Sequence, residues 1–157
     1  MKIVLISVGT IREAPLRELA DRFAGRIPHY MPFDACIIPD VAASRNSSAD
    51  QRKIKEGEAI LGKIAPGDFV VLFDERGREL TSREFAELIE KKSIVLPRNL
   101  ILVIGGPYGF SDAVFARADM KLSLSRMTFT HEMARVIALE QIYRAMTILR
   151  GEPYHHD

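Results

Sequence analysis

NLILVIGGPYG, residues 99–109, decides the fold, because a short apolar run is followed at once by a glycine-rich turn. The run over residues 99–104 reads as a buried strand. Two similar runs, residues 3–8 and 68–74, have the same character. Continuous apolar strands of this kind are typical of parallel sheets whose two faces are covered by helices.

Helical patterns alternate with these runs along the whole chain. Helices are predicted over residues 15–26, after an N-cap at Ser47 or Ser48, after the capping box Thr81-x-x-Glu84, from Ser111 to Ala118, and over residues 131–149. Shorter strands are predicted over residues 33–41, with a break near Pro39, and over residues 121–125, and residues 42–50 are the most loop-like segment. The alternation predicts one α/β domain over residues 1–157, with a mostly parallel sheet and helices on both faces.

Composition limits the class of protein. The chain has 157 residues, which is one domain at roughly 150 residues per domain. Hydrophobic residues make up 47% and charged residues 27%, which excludes disordered and fibrous classes. The single Cys36 excludes a disulfide framework. Apolar runs are far shorter than the ~18 residues that span a bilayer, and the N-terminus lacks the features of a signal peptide, so we expect a cytoplasmic protein without membrane contact.

Ligands of open α/β sheets bind beyond the carboxyl ends of the strands, so the residues after each strand are the first candidates. They are Gly9 and Thr10 and residues 74–78, 105–109 and 125–130. The turn GGPYG permits close backbone approach of a ligand, but it also fits a tight strand-to-helix turn. It is neither the dinucleotide fingerprint nor a P-loop, so a nucleoside held by backbone groups fits better than a pyrophosphate.

Residues 122–132, LSLSRMTFTHE, alternate small hydroxyl and apolar side chains before a helix begins at Thr130 or His131. One interpretation is an edge strand followed by an N-cap. The other is a loop whose backbone amides and carbonyls bind the base edge of a ligand. The sequence leaves both interpretations open.

The final predicted helix is apolar nearly all round. Its apolar residues are Met133, Val136, Ile137, Leu139, Ile142, Tyr143, Met146, Ile148 and Leu149. A helix with so little polar surface is buried on more than one side, either within the chain or in a homodimer. Glu140 precedes Arg144 by four residues, which fits a simple helix-face ion pair.

The C-terminal residues GEPYHHD (151–157) contain two of the four histidines. Short tails are often frayed. Two adjacent histidines also suggest a weak metal site, but no metal-ligand spacing occurs elsewhere in the sequence. We therefore predict no metal. The net charge of +1 does not by itself indicate nucleic-acid binding. The basic residues between Arg117 and Arg150 fit local phosphate contacts or a solvated face.

Three C-terminal motifs occur together: IGGPYG (104–109), LSLSRMTFTHEMARV (122–136) and EQIYRAMTILRGEPYHHD (140–157). With the N-terminal MKIVLISVGT, they closely resemble the bacterial ribosomal RNA large subunit methyltransferase H family of the SPOUT class. The resemblance implies an α/β fold with a C-terminal trefoil knot, an exception to the rule that chains are unknotted. It also implies S-adenosylmethionine as methyl donor, a homodimer, and N3 of a pseudouridine in the 23S rRNA of the 70S ribosome as target.

The resemblance, carried over motif by motif, implies two groups of site residues. The cofactor contacts would be Phe73, Gly105, Leu124, Ser125, Arg126, Met127, Thr128 and Phe129. The catalytic candidates near the target base would be Arg144, His155, Tyr154, His131, Tyr143 and His156. Two positions depart from the family pattern, because Thr130 replaces a usual proline and Phe73 stands where leucine is common.

Elementary chemistry is compatible with these roles. The N3 proton of a uracil-type base leaves only well above neutral pH, so methylation needs proton removal or stabilisation of the anion. Arg144 would stabilise negative charge on the base carbonyls, and a tail histidine would accept the proton. We expect the tail to close over the base, from the same or the partner subunit, on a preassembled ribosomal surface.

Two other classes of function are open from the residues alone. A small dehydrogenase needs a phosphate-binding turn after the first strand, where residues 8–12 offer only Gly9. A non-catalytic RNA-binding or ribosome-associated module would bind ribosomes without affinity for S-adenosylmethionine.

Overall fold

The computed structural model describes residues 1–40, 47–95 and 97–156. Within these ranges the strands are β1 (Ile3–Val8), β2 (Phe33–Ile38), β3 (Phe69–Glu79), β4 (Leu100–Ile104) and β5 (Met120–Ser123). The helices are α1 (Ala14–Arg26), α2 (Ala49–Leu61), α3 (Ser82–Val95), α4 (Asp112–Arg117) and α5 (His131–Leu149). Short 3-10 turns follow α1 at Ile27–His29 and α5 at Pro153–His155. The predicted alternation is confirmed.

The strands form one parallel sheet in the order β2-β1-β4-β3-β5. Side chains of the central strand β4 alternate between two cores, because Leu102 packs on the side of α1, α3 and α5 and Val103 on the side of α2 and α4. Every residue of β4 is buried. Helices therefore cover both faces, and the predicted α/β fold with a parallel sheet is confirmed.

The helices begin where the capping residues predict. Ser48 accepts a hydrogen bond from the Gln51 amide at 3.1 Å, and the Gln51 side chain accepts one from the Ser48 amide at 3.0 Å. Thr81 and Glu84 form the same reciprocal box ahead of α3. Each box satisfies amides that the first helical turn leaves without a partner.

β3 is longer than the sequence predicts. It continues to Glu79, whereas the apolar run ends at Asp74. Its pairing with β5 is interrupted over residues 74–77, which bulge out of the ladder. A β-carbon on Gly77 would lie 2.7 Å from two backbone carbonyl carbons of β5, so this close approach requires glycine.

The bounds of β2, α2 and β5 agree only in part with the prediction. β2 ends at Ile38, just before Pro39, where the sequence predicts a break because proline lacks a backbone donor; residue 41, the predicted end of the strand, lies outside the described residues. α2 begins at Ala49, inside the predicted loop; residues 42–46 of that loop lie outside the described residues. β5 ends at Ser123 rather than at residue 125. None of the described helices is long and apolar enough to cross a membrane.

Candidate functional site

A cleft of about 480 Å³ opens at the carboxyl ends of β3 and β4. The glycine turn after β4, residues 105–109, forms one wall, and the segment after β5, residues 124–129, contributes another. Residues 74–76 of the β3 bulge and the first turn of α5 complete the lining. The two segments that the sequence analysis singled out therefore line the same cleft.

Most of the candidate cofactor contacts are brought together in this cleft. Its lining includes Phe73, Gly105, Leu124, Ser125, Met127, Thr128 and Phe129, together with His131. The side chain of Arg126 instead is 86% exposed and pairs with Glu79 at 3.3 Å. Apolar side chains and backbone polar groups thus meet in one cleft, which suits a nucleoside.

Backbone geometry shapes the glycine turn. Gly109 has a φ of +81°, which a residue with a side chain rarely adopts. Its amide donates to the Gly106 carbonyl at 3.1 Å and closes the turn. A β-carbon on Gly105 would lie 3.0 Å from the ring of Phe110, so the turn is packed tightly on that side. The turn therefore brings backbone groups, rather than long side chains, to the cleft at these glycines.

Hydroxyl side chains fold the segment between β5 and α5. The Ser123 hydroxyl donates to the Ser125 carbonyl at 2.7 Å, and the Ser125 hydroxyl accepts from the Met127 amide at 2.9 Å. Thr128 donates to Glu75 at 2.7 Å and so ties the segment to the β3 bulge. The edge strand and the N-cap are both present, and the residues between them form a wall of the cleft.

Charged residues of the β3 bulge, which lie within the candidate stretch 74–78 that follows the apolar run, line the same cleft. They are Asp74, Glu75 and Arg76. Burial opposes ionisation of Asp74, but hydrogen bonds from the Arg76 amide and side chain outweigh it and lower the pKa of the Asp74 carboxyl. An ionised carboxylate therefore belongs to this cleft at neutral pH and favours a positively charged group on a ligand.

Local contacts anchor α5 at its cleft end. Thr130 accepts from the Met133 amide at 3.2 Å and caps the helix. Arg135 is 5% exposed and donates to the two backbone carbonyls at the end of β1. These contacts hold His131 at the rim of the cleft.

A second group of candidate residues lies at the other end of α5. Arg144 donates from Nη2 at 2.6 Å and from Nε at 3.0 Å to Oε1 of Glu140, so the predicted helix-face ion pair exists. The Tyr154 hydroxyl donates to the same oxygen at 3.1 Å. His155 Nδ1 lies 3.1 Å from Arg144 Nη1, and the rings of Tyr143 and Tyr154 are 4.9 Å apart. Burial, followed by the hydrogen bond to Glu140, raises the pKa of Tyr154.

The tail is folded against the rest of the chain. The Tyr30 hydroxyl donates to Glu152 at 2.8 Å, and this bond, together with burial, raises the pKa of Tyr30 to about 12. Pro153–His155 then forms a 3-10 turn, and His156 follows with an exposed side chain. Among the described residues, no group of three or more His, Cys, Asp or Glu side chains is arranged to hold a metal.

The two groups of candidates are far apart within one chain. His131 is the first residue of α5, and Arg144 follows it by thirteen residues. At 1.5 Å of rise per residue they are about 20 Å apart along the helix axis. Of the catalytic candidates, only His131 lines the cleft. One chain therefore does not bring the whole set together.

Packing within the chain accounts for much of the apolar surface of α5. Four of its apolar residues lie in the core beside α1 and α3: Val136, Leu139, Ile142 and Met146. Met133 and Leu149 are 38% and 36% exposed. The alternative of burial within the chain thus explains these four positions, and the homodimer stays a prediction.

Comparisons with known proteins cover the full chain. A family model described as "Predicted SPOUT methyltransferase" matches residues 1–155. The chain is 50% identical over 157 residues to ribosomal RNA large subunit methyltransferase H of Parabacteroides distasonis, with 100% of both chains covered. It is 47% identical to the protein of the same name from Christiangramia forsetii, with 99% of each chain covered.

A solved structure has a similar fold. It is described as a probable methylase family protein from Haemophilus influenzae, and it matches with a TM-score of 0.52 and 14% identity over 95% of this chain and 66% of that one. An identity this low supports the fold alone, whereas the family model and the two relatives above match nearly every residue of this chain. The chain therefore belongs to the SPOUT methyltransferase family and, within it, to the ribosomal RNA large subunit methyltransferase H family.

Proposed function

We propose that this chain uses S-adenosylmethionine to methylate N3 of a pseudouridine in the 23S rRNA of assembled 70S ribosomes in the cytoplasm. The names of its relatives support large-subunit ribosomal RNA as the substrate class. One observation carries the proposal: the glycine turn and residues 124–129 line one cleft beyond the carboxyl ends of the central strands. This edge is where open parallel sheets bind ligands.

The cleft fits the methyl donor in size and chemistry. Its volume of about 480 Å³ lies within the range of roughly 300–1,000 Å³ that small-molecule sites occupy. Phe73, Leu124 and Phe129 provide apolar surface for an adenine ring, and the glycine turn provides backbone polar groups for its edge. Asp74 and Glu75 provide negative charge for the cationic part of the ligand. S-adenosylmethionine supplies a methyl group on a sulfonium, which is already activated towards a nucleophile.

The proposal includes the trefoil knot that the family implies. β5 lies at an edge of the sheet beside β3, and the chain then returns as α5 to pack on the central strand β4. This return brings residues 124–129 to the cleft that the glycine turn after β4 also lines. Threading of the C-terminal segment would lock that arrangement and so preserve the shape of the donor cleft.

The cluster at the end of α5 supports the chemistry at the target base. Arg144, whose guanidinium is oriented by Glu140, stabilises negative charge on the base carbonyls as N3 loses its proton. His155 is the first candidate to accept that proton; its Nδ1, which lies 3.1 Å from Arg144 Nη1, becomes available once Arg144 donates to the base carbonyls instead. Tyr143 and Tyr154 offer ring surface for the base, and His131 and His156 are further candidates.

The separation of the two groups supports a composite site built by a homodimer. Because about 20 Å of α5 separates His131 from Arg144 in one chain, the tail of a second chain must reach the cleft for the donor and the base to meet. A two-fold dimer would create two such sites, each with the cleft of one subunit and the tail of the other.

The assembled ribosome is the proposed substrate because the chain offers little charge for selecting a nucleotide in free RNA. With a net charge of +1, recognition depends on shape and a few phosphate contacts around an exposed loop. Robust methylation of a short naked oligonucleotide would contradict this part of the proposal.

The test combines calorimetry and methyl transfer. We expect S-adenosylmethionine and S-adenosylhomocysteine to bind the purified protein, and radiolabelled methyl groups to be transferred to 70S ribosomes that lack the mark. Thermal stabilisation by NAD and not by S-adenosylhomocysteine would instead indicate a dehydrogenase. Ribosome binding without affinity for either adenosyl ligand would indicate a non-catalytic module.

A further inference from the structure

α2 carries a buried acid that the donor site described above does not include. Glu56 is 6% exposed, although glutamate is almost never this buried unless it is paired. Its Oε1 has no hydrogen-bond partner among the described residues. A buried carboxylate oxygen without a partner destabilises a fold, so its presence beside a ligand cleft requires an explanation.

Glu56 is packed directly behind the glycine turn. A β-carbon on Gly106 would lie only 2.5 Å from Oε1 of Glu56, so the two residues are in close contact. Gly106 lines the cleft and Glu56 does not. The carboxylate thus supports the turn from the side that faces away from the cleft.

Neighbouring residues of α2 contact the same turn at Tyr108 and the chain just beyond it at Ser111. Arg52 Nη1 donates to the Tyr108 hydroxyl at 2.9 Å, and its guanidinium lies 5.7 Å from the centre of the Tyr108 ring. A β-carbon on Gly57 would lie 2.3 Å from the hydroxyl oxygen of Ser111, the N-cap of α4. Residues 52–57 therefore contact the beginning, the middle and the end of the stretch from 106 to 111.

Most of the surroundings of Glu56 oppose ionisation of its carboxyl group. Burial raises the pKa of the Glu56 carboxyl, the negative charge of Asp40 raises it further, and the polar backbone of Gly106, which lies close to the carboxyl, lowers it. The group that favours the ionised form is thus the turn itself, whereas burial and Asp40 oppose it.

We propose that Glu56 is a positioning residue of the methyl-donor site, whose carboxylate fixes the Gly106 backbone and so keeps the glycine turn in the form that binds the adenosyl ligand. The inference rests on the proposed function, since it concerns the same cleft. It assigns Glu56 no contact with the ligand, and its effect passes through Gly106.

The test compares three variants of the full-length protein. Glu56→Ala removes the carboxylate, Glu56→Gln keeps its shape without the charge, and Glu58→Ala removes an exposed glutamate of the same helix as a control. We expect the Kd for S-adenosylhomocysteine, measured by calorimetry, to rise at least tenfold in Glu56→Ala and less in Glu56→Gln. Glu58→Ala should bind like the wild type.

If the role of Glu56 were purely structural, the ligand affinity would fall only in parallel with the Tm. The proposal predicts a different pattern. Since Glu56→Gln removes a buried charge, we expect its ligand-free Tm at pH 8 to exceed that of the wild type while its ligand affinity falls. Affinity equal to the wild type in both Glu56 variants would overturn the proposal, and so would an affinity that falls only in parallel with Tm. Glu56→Gln keeps the test valid if Glu56→Ala fails to fold.

A readout without ligand separates this inference from the proposed function. Amide hydrogen exchange at Gly106, measured by NMR in the ligand-free protein, should be faster in Glu56→Ala than in Glu58→Ala. If the wild type bound no adenosyl ligand, the proposed function would fail, whereas faster exchange would still support the contact between Glu56 and the turn. Equal exchange in the two variants would overturn the inference itself.

Discussion

Arg144 and Glu140 form a two-point contact on one face of α5, with Nη2 at 2.6 Å and Nε at 3.0 Å from the same carboxylate oxygen. Their side chains are only 23% and 20% exposed, so the pair is less screened by water than an ordinary surface pair. Two donors on one acceptor fix the plane of the guanidinium. The remaining nitrogen, Nη1, is directed towards His155.

We therefore expect Glu140→Gln to reduce turnover without weakening donor binding. The neutral amide holds the guanidinium less firmly, and Tyr154 loses a charged acceptor. We expect kcat for methylation of 70S ribosomes to fall about tenfold, which is the effect of roughly 1.4 kcal/mol in the transition state. The Kd for S-adenosylhomocysteine should not change. Glu87→Gln, at an exposed position of α3, is the control, and an unchanged kcat in Glu140→Gln would remove the pair from the mechanism.

The composite site predicts complementation between two inactive variants. Deletion of residues 153–157 should abolish turnover and spare donor affinity, because the cleft lies at the other end of α5. Gly105→Leu should block the cleft, because even a β-carbon at this position would lie 3.0 Å from the ring of Phe110. Co-refolded mixtures of the two should regain about a quarter of wild-type activity if each site uses the tail of the partner subunit. No recovery from dimeric, folded mixtures would show that the tail acts within its own chain.

Local chemistry made the helix starts predictable from the sequence. The side chains of Ser48, Thr81, Ser111 and Thr130 each accept a hydrogen bond from the amide three residues ahead, so the signal lies within one turn of chain. The position of the cleft was also predictable, because it follows from where parallel strands end. Both inferences need only short stretches of sequence or the order of the elements.

Features that depend on distant contacts were not predictable in the same way. The extension of β3 to Glu79 has the sequence DERGRE, which resembles a loop until β5 is seen to pair with Arg78 and Glu79. Glu56 lies among charged residues in IKEGE and resembles a solvated face, although its contact is Gly106, fifty residues away. Only the fold shows that these polar residues serve the cleft.

The hydroxyl contacts of the 124–129 segment predict a moderate effect on donor binding. Ser125→Ala removes the acceptor of the Met127 amide, a contact worth about 1 kcal/mol. The segment should then sample more conformations, and the Kd for S-adenosylhomocysteine should rise about fivefold in calorimetry. Ser93→Ala removes a comparable hydroxyl contact on α3, far from the cleft, and should leave Kd unchanged. Equal affinity in both variants would contradict this role of Ser125.

Two glycines predict stability changes of opposite sign. Gly77→Ala places a β-carbon 2.7 Å from the backbone of β5, so we expect the free energy of unfolding to fall by about 1–3 kcal/mol. A β-carbon on Gly25, in α1, would meet no atom within 4 Å. Gly25→Ala should therefore raise the free energy of unfolding by about 0.5 kcal/mol. Urea denaturation of both variants measures these differences. A neutral Gly77→Ala would show that the β3 bulge is less tightly paired than the structure describes.

The buried carboxyl of Glu56 predicts how stability depends on pH. Burial, with the charge of Asp40, raises the pKa of Glu56 above its ordinary value near 4.5. The folded protein therefore binds the proton more tightly than the unfolded chain, so the stability linked to Glu56 is present below pH 4.5 and is lost as the pH rises through the raised pKa.

Glu56→Gln cannot ionise and should escape this loss. We expect the Tm of Glu56→Gln minus that of the wild type to be smallest near pH 4.5, to grow with pH, and to level off at about 3 °C by pH 8. Glu58→Gln, at an exposed position of the same helix, should show no such trend. A difference that shrank as the pH rose would mean that the ionised carboxylate is better stabilised in the folded protein than its burial and the nearby charge of Asp40 allow.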